Sequence, residues 1–178
     1  MGISAGRLRA LGVSVLALCL CAGAAQAAPD NGFGLYLGGL SSSDSSLYGN
    51  SHGGLIAVDT QFIVNDHWSL NPYLLLSDES TDTTFSLING EGGLQARYWP
   101  TNNWFLSAEF LFHDSLLERG GTVGSSVYGP GLGIGAGWES DSHWTVMLTV
   151  KYMSMPGTSY SSLSYRSEAM LLIGYHWY

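Results

Sequence analysis

Apolar and polar residues alternate along most of this chain with a period of two, which is the period of a β-strand whose two faces meet different surroundings. One stretch shows the pattern clearly, because Trp104, Leu106 and Phe110 alternate with Ser107 and Glu109. The alternation recurs in eight segments, which predicts eight strands. The segments are 32–40, 56–62, 68–76, 91–98, 104–113, 131–138, 144–152 and 168–177.

The connections between these segments alternate in character. Three are short polar turns that lead directly into Trp68, Trp104 and Trp144. The other four are longer and rich in Ser, Gly, Thr and Asp, and they cover 41–53, 77–90, 114–128 and 154–164. Short turns at one end and longer loops at the other are typical of an outer-membrane β-barrel, with the turns on the periplasmic side and the loops outside the cell.

In an up-and-down arrangement of these strands, one end of the sheet carries a ring of aromatic residues, which we call the aromatic girdle. Trp and Tyr favour a membrane–water interface because each has an apolar ring and a polar tip. The predicted girdle consists of Trp68, Tyr98, Trp99, Trp104, Trp138, Trp144, Trp177 and Tyr178. The sequence therefore predicts an all-β fold, an eight-stranded antiparallel up-and-down transmembrane β-barrel.

The N-terminus has the composition of a secretory signal peptide. Arg7 and Arg9 supply a positive region, 11–20 an apolar region, and 25–27 a cleavage site of the Ala-x-Ala type. We therefore predict a signal peptide over 1–27 and one outer-membrane barrel domain over 28–178. Both cysteines fall within the predicted signal, so the mature chain would contain no disulfide and no thiolate metal site.

Charge restricts both the partners and the orientation of the strands. The sequence has six Lys and Arg residues, two of them in the predicted signal, and fourteen Asp and Glu residues, so we expect no nucleic-acid partner. An Arg or Lys facing lipid at mid-bilayer costs about 2–4 kcal/mol, which directs the strand charges inward. The predicted lumenal charge network consists of Asp59, Glu91, Arg97, Glu109, Lys151 and Glu168. An eight-stranded barrel is narrow, so side chains should fill it and no channel is expected.

With these features the chain resembles the small eight-stranded outer-membrane barrels of the OmpA-like and opacity-type superfamily. The resemblance covers 32–178 and includes the alternating aromatic ending at Tyr175, Trp177 and Tyr178. It implies a place in the outer membrane of a Gram-negative cell, insertion by the barrel-assembly machinery, and contact with outer-membrane lipid and lipopolysaccharide. We expect a monomer without a cofactor or a metal site, since no metal-ligand or phosphate-loop motif occurs.

One stretch invites a catalytic interpretation. His113 and Ser115 share a strand face and Glu118 follows, so a serine, a base and an orienting acid occur close together. The lipid A 3-O-deacylases, another family of small barrels, carry a His-x-Ser pair nearer the C-terminus. The comparable stretch here, 152–154, has no histidine. A lumenal hydrogen-bond network is the favoured interpretation of these residues.

We therefore expect a non-enzymatic barrel that serves membrane integrity, adhesion or surface binding through its loops. Three alternatives stay open. The first is a lipid A-modifying enzyme that uses His113 and Ser115. The second is a small pore for hydrophobic molecules, suggested by inward Phe105, Leu111 and Met170. The third is a soluble lipocalin-like binder, in which the apolar rows would face each other inside the barrel and the charges would face water.

Overall fold

The computed structural model describes residues 31–44, 49–65, 67–81, 85–100, 103–119, 122–155 and 164–178. The predicted signal peptide at 1–27 lies outside the described residues. The strands are β1 (Gly32–Asp44), β2 (Asn50–Asn65), β3 (Trp68–Thr81), β4 (Phe85–Tyr98), β5 (Trp104–Arg119), β6 (Thr122–Glu139), β7 (Trp144–Met155) and β8 (Ser164–Trp177). Each pairs antiparallel with its neighbours in the chain, and β8 closes on β1, which confirms the predicted eight-stranded barrel. In the part of the chain described, no helix is long and apolar enough to cross a membrane.

The strand register sets the width of the barrel. A path through paired residues that leaves β1 at Gly34 returns to β1 at Asp44, ten residues further along. The path runs through Asp59, Tyr73, Gly93, Leu111, Gly131, Met153 and Arg166. Such an offset, the barrel shear, tilts the strands, and eight strands tilted by about 35–45° leave an interior just wide enough for side chains.

Several strands continue into segments that the sequence predicted to be loops. The described strands β1 and β2 reach Asp44 and Asn50, β3 and β4 reach Thr81 and Phe85, and β5 and β6 reach Arg119 and Thr122, whereas the predicted loops covered 41–53, 77–90 and 114–128. Alternation persists there, since Ser77 and Glu79 are buried while Asp78 and Ser80 are exposed. Both faces carry polar residues in these stretches, so the hydrophobic contrast that marks a strand is missing. At these connections the strands extend into the predicted loops, so the predicted bounds of these loops were wrong.

The two faces of the wall have the polarity that a membrane protein requires. Outward Leu132, Ile134 and Leu148 are between 56% and 69% exposed, whereas inward Arg97 and Lys151 are 1% exposed. Water would favour the opposite arrangement, and hydrocarbon favours this one. The lipocalin-like alternative, with apolar rows inside and charges outside, is therefore wrong.

Bulky inward side chains of β5 lie over inward glycines of β6. A Cβ atom built on Gly137 would overlap the ring of Phe105, and one built on Gly133 would overlap the carboxylate of Glu109. Glycine inside a strand often marks a close approach of this kind. The glycine row of β6 thus provides the space that the neighbouring strand fills.

We predict that Gly137→Val reduces the folded fraction of the barrel, because overpacking a filled interior costs about 1–3 kcal/mol. Heat-modifiable mobility of unboiled samples on gels measures that fraction. Gly39→Val is the matched control, because a Cβ on this outward glycine meets nothing nearer than 3.7 Å. Equal folding of the two variants would contradict this account of the glycine row.

Candidate functional site in the barrel lumen

The end of the barrel that carries the connections after β2, β4 and β6 is called the turn end, and its lumen is organised around Asp59. Arg97 Nη2 lies 2.6 Å from Asp59 Oδ2, and the Tyr36 hydroxyl donates to the same oxygen at 3.1 Å. His176 Nε2 lies 3.1 Å from Asp59 Oδ1. The Arg97 guanidinium also lies 4.8 Å from the ring centroid of Phe105, within cation–π range. These residues form the turn-end cluster.

The turn-end cluster extends to the last residue of the sequence. His176 Nδ1 lies 2.9 Å from Glu139 Oε2, and the Tyr178 hydroxyl donates to Glu139 Oε1 at 2.6 Å. Thr145 Oγ1 donates to Glu139 as well, at 3.2 Å. Tyr178 was predicted only as a girdle residue, but its hydroxyl turns toward the lumen and shares a carboxylate with His176.

A second group of charges, the middle cluster, surrounds Lys151. Its ammonium pairs with the Glu91 carboxylate and lies 3.9 Å from Glu109 Oε1. The ammonium also lies 5.0 Å from the ring centroid of Tyr73, and Asn89 Nδ2 donates to Glu91 at 2.8 Å. Charged and neutral donors together compensate the buried Glu91 carboxylate.

A third group, the hairpin-end cluster, lies near the opposite end of the lumen. Arg166 pairs with Glu79, and its Nη2 lies 3.0 Å from Glu168 Oε2. Glu79 also accepts from Ser51 at 2.6 Å and from Ser77 at 3.0 Å. The sequence analysis placed Glu168 in this network but missed Arg166 and Glu79.

Every second residue of a strand faces the lumen, and continuing that alternation beyond the predicted strand ends would have found the missed charges. Glu79 lies two inward positions beyond Leu75 on β3, and Arg166 lies one inward position before Glu168 on β8. Glu139 and His176 follow the same rule at the turn end.

Among the described residues, buried carboxylates exceed buried Lys and Arg side chains by six to three. The carboxylates belong to Asp59, Glu79, Glu91, Glu109, Glu139 and Glu168, and the bases are Arg97, Lys151 and Arg166.

A small cavity of about 20 Å³ lies between the turn-end and middle clusters. Three polar atoms in its lining have no direct hydrogen-bond partner among the described protein atoms: the Tyr73 hydroxyl, Glu109 Oε1 and Thr149 Oγ1. A polar cavity needs about 10–15 Å³ for one water. The space therefore suits a single water molecule that bridges these three groups.

Two of the predicted catalytic residues meet in the lumen, but they do not form a triad. His113 Nδ1 lies 3.2 Å from Ser115 Oγ, and His113 Nε2 donates to the Ser154 carbonyl at 2.9 Å. Ser115 donates its hydroxyl proton to the side-chain oxygen of Asn89 at 2.8 Å, and the Ser154 carbonyl takes the place on the His113 ring where a triad has its acid. Glu118 lies beyond a register shift in β5. His113 and Ser115 are 3% and 2% exposed, and they face away from the lipid side of the wall.

Most of the predicted girdle residues lie on the outside of the turn end, but Trp99 does not. Its Nε1 donates to Ser69 Oγ at 3.2 Å, and its ring packs 4.9 Å from that of Phe105, against the buried core. The assignment of Trp99 to the girdle was wrong. Tyr98 takes the last outward position of β4, so the next residue turns toward the lumen. The outward aromatic residues are Trp68, Tyr98, Trp104, Trp138, Trp144 and Trp177, between 37% and 56% exposed.

A second set of outward aromatic residues lies toward the hairpin end. Tyr128, Tyr152 and Tyr165 occupy β6, β7 and β8 and are between 38% and 73% exposed. The rings of Tyr152 and Tyr165 stack with centroids 5.0 Å apart. Outer-membrane barrels carry aromatic residues at both interfaces of the bilayer. The distance between the two sets marks the height of the apolar band.

No protein-family model and no curated protein sequence matches this chain. Solved structures do match it. Ail, the attachment invasion locus protein of Yersinia pestis, is 12% identical with a TM-score of 0.58, and the match covers 83% of this chain and 99% of Ail. Neisserial surface protein A is 13% identical with a TM-score of 0.59, and the match covers 80% of this chain and 96% of that protein.

The fold is that of the small eight-stranded outer-membrane barrels. At these identities the likeness concerns the fold and does not carry over a ligand. The apolar exterior and the charged lumen are those of a barrel that spans a membrane. Among the residues that the structure describes, no group of three or more His, Cys, Asp or Glu is arranged to hold a metal ion.

We predict that Arg97→Met destabilises the barrel by about 3–5 kcal/mol, because it leaves the buried Asp59 carboxylate without its main counter-charge. Urea unfolding in detergent micelles, followed by tryptophan fluorescence, measures the change. Adding Asp59→Asn should recover part of the loss, since the double variant buries no unpaired charge. The exposed Asp78→Asn is the control, and a double variant that loses the full sum of the single effects would contradict the pairing.

A crystal structure at high resolution should show one ordered water within hydrogen-bond distance of the Tyr73 hydroxyl, Glu109 and Thr149. Thr149→Val removes one of these polar partners and should weaken or remove that density while the barrel stays folded. The exposed variant Ser80→Ala serves as the control. Strong density that is unchanged in Thr149→Val would show that this hydroxyl does not hold the water.

Proposed function

We propose that this protein is a monomeric structural and surface-interaction barrel of the outer membrane, with a filled lumen. The observation that carries the proposal is the succession of three ion-paired clusters along the lumen, with a cavity of about 20 Å³ between two of them. A barrel whose lumen is filled in this way contacts its partners through its outer wall and its loops. Its role is then membrane integrity, adhesion or surface binding, and its partners are outer-membrane lipid, lipopolysaccharide and, during insertion, the barrel-assembly machinery.

The inward apolar side chains also support a filled lumen. Phe105, Leu111 and Met170, which suggested a hydrophobic pore, are at most 2% exposed and belong to one packed core. A pore for hydrophobic molecules needs an open lining, and these side chains contact one another instead. We therefore assign them to packing.

Charge at the hairpin end limits the class of surface partner. Asp78 and Asp114 are exposed there, while Arg97, Lys151 and Arg166 are buried. Ail has been solved in complex with the heparin analogue sucrose octasulfate. Binding of a polyanion of that kind needs clustered exposed bases, so we propose that the macromolecular partner at this end, as distinct from the membrane lipid, is neutral or cationic.

Planar-bilayer recording tests the filled lumen. We expect no sustained single-channel steps from protein whose heat-modifiable band shows that it is folded, because the ion-paired clusters obstruct the path. The same preparation supplies the control for folding and insertion. Sustained conductance steps that scale with the amount of folded protein would overturn the filled-lumen proposal and favour a pore.

The 3.2 Å contact between His113 and Ser115 favours one second candidate, a lipid A-modifying enzyme. We expect Ser115→Ala to leave the masses of cellular lipid A unchanged and to cost about 1 kcal/mol of stability through lost hydrogen bonds. Mass spectrometry of lipid A and urea unfolding are the two measurements. Ser80→Ala, an exposed serine, is the control. A lipid A species that depends on the gene and disappears in Ser115→Ala alone would establish the enzyme.

A further inference from the structure

The outer wall has one region without large side chains, close to the hairpin end. It spans β1 and β8, where Gly39, Ser41 and Ala169 face outward. Leu148 and Leu171, about half exposed, stand beside it as part of the apolar band. The result is a mainly apolar groove of about 510 Å³ on the lipid-facing surface.

The fold does not require glycine at the floor of this groove. A Cβ on Gly39 would meet nothing nearer than 3.7 Å, and one on its paired neighbour Gly54 nothing nearer than 4.0 Å. The adjacent inward glycines differ, since a Cβ on Gly38 or Gly53 would overlap backbone of the neighbouring strand. Glycine weakens a strand, and it often marks a place where a ligand approaches the backbone closely.

The groove crosses the boundary between the apolar band and the polar rim. Along β1 the outward residues change from Leu37, 63% exposed, through Gly39 to Ser41. Ser41 pairs with His52 on β2, and both side chains are exposed. The groove is therefore continuous with the lipid-facing band at one end and has hydrogen-bond donors at the other.

We propose that this groove binds one acyl chain of lipid A, the anchor of lipopolysaccharide, with a lipid phosphate against Ser41 and His52. The chain lies over Gly39 and Ala169, against the side chain of Leu171, while Leu148 lies on the far side of Leu171. The phosphate lies on the β8 side of His52, away from the exposed carboxylate of Asp78 on β3. The proposal rests on the outer-membrane role above and gives its lipid contact a location.

Native mass spectrometry of protein refolded in detergent with hexa-acylated lipid A tests the acyl contact. Ala169→Leu fills the groove, and Ala136→Leu makes the same change on the outward face of β6, away from it. We expect wild type and Ala136→Leu to retain one lipid A, and Ala169→Leu to lose most of it, because the added side chain occupies the space in which the acyl chain lies. Gly39→Val should act like Ala169→Leu.

Equal retention by Ala169→Leu and Ala136→Leu would overturn the proposal. So would a dimer in wild type that only Ala169→Leu disrupts, because the groove would then hold a second copy of the chain. Dephosphorylated lipid A tests the headgroup: it should bind more weakly to wild type, and the double variant Ser41→Ala, His52→Ala should abolish that difference. A difference that survives in the double variant would overturn the phosphate contact. The heat-modifiable band and bilayer recording of each variant keep these outcomes separate from the filled-barrel proposal.

Discussion

The hydrocarbon around the wall is the constraint on which the rest of this structure depends. It offers no hydrogen bonds, so every backbone group must pair within the sheet and every charged side chain at the depth of the hydrocarbon must turn inward. Eight strands with a shear of ten then leave room for side chains alone. The lumen becomes a folded core that is built from charges, and its stability depends on how those charges are compensated.

Compensation cannot come from ion pairs alone, because buried carboxylates outnumber buried Lys and Arg side chains among the described residues. Neutral donors supply part of the remainder. Asn89 donates a hydrogen bond to Glu91, Ser51 donates one to Glu79, and Tyr178 donates one to Glu139. The hydroxyl and amide groups on the inward rows thus have a structural role, because they donate hydrogen bonds to buried carboxylates.

The sequence predicted the strand number, the antiparallel order and the direction of nearly every charged side chain, because one face contrasts with the other wherever a strand crosses lipid. Prediction failed where that contrast disappears. Glu79 and Arg166 lie in hairpin extensions with polar residues on both faces, so they were missed. Trp99 was assigned to the girdle because it is a tryptophan at a strand end, although it follows outward Tyr98 and therefore faces the core. The hydrogen bond from Ser115 to Asn89 joins different strands and could not be read from local spacing.

The surplus of carboxylates in the lumen has an electrostatic consequence. Carboxylates outnumber the Lys and Arg side chains there, and rings of acidic side chains are what select cations in membrane pores. Any transient loosening of the side-chain plug would therefore admit small cations in preference to chloride or phosphate. The barrel would then select cations over anions during such a transient opening of its packed lumen.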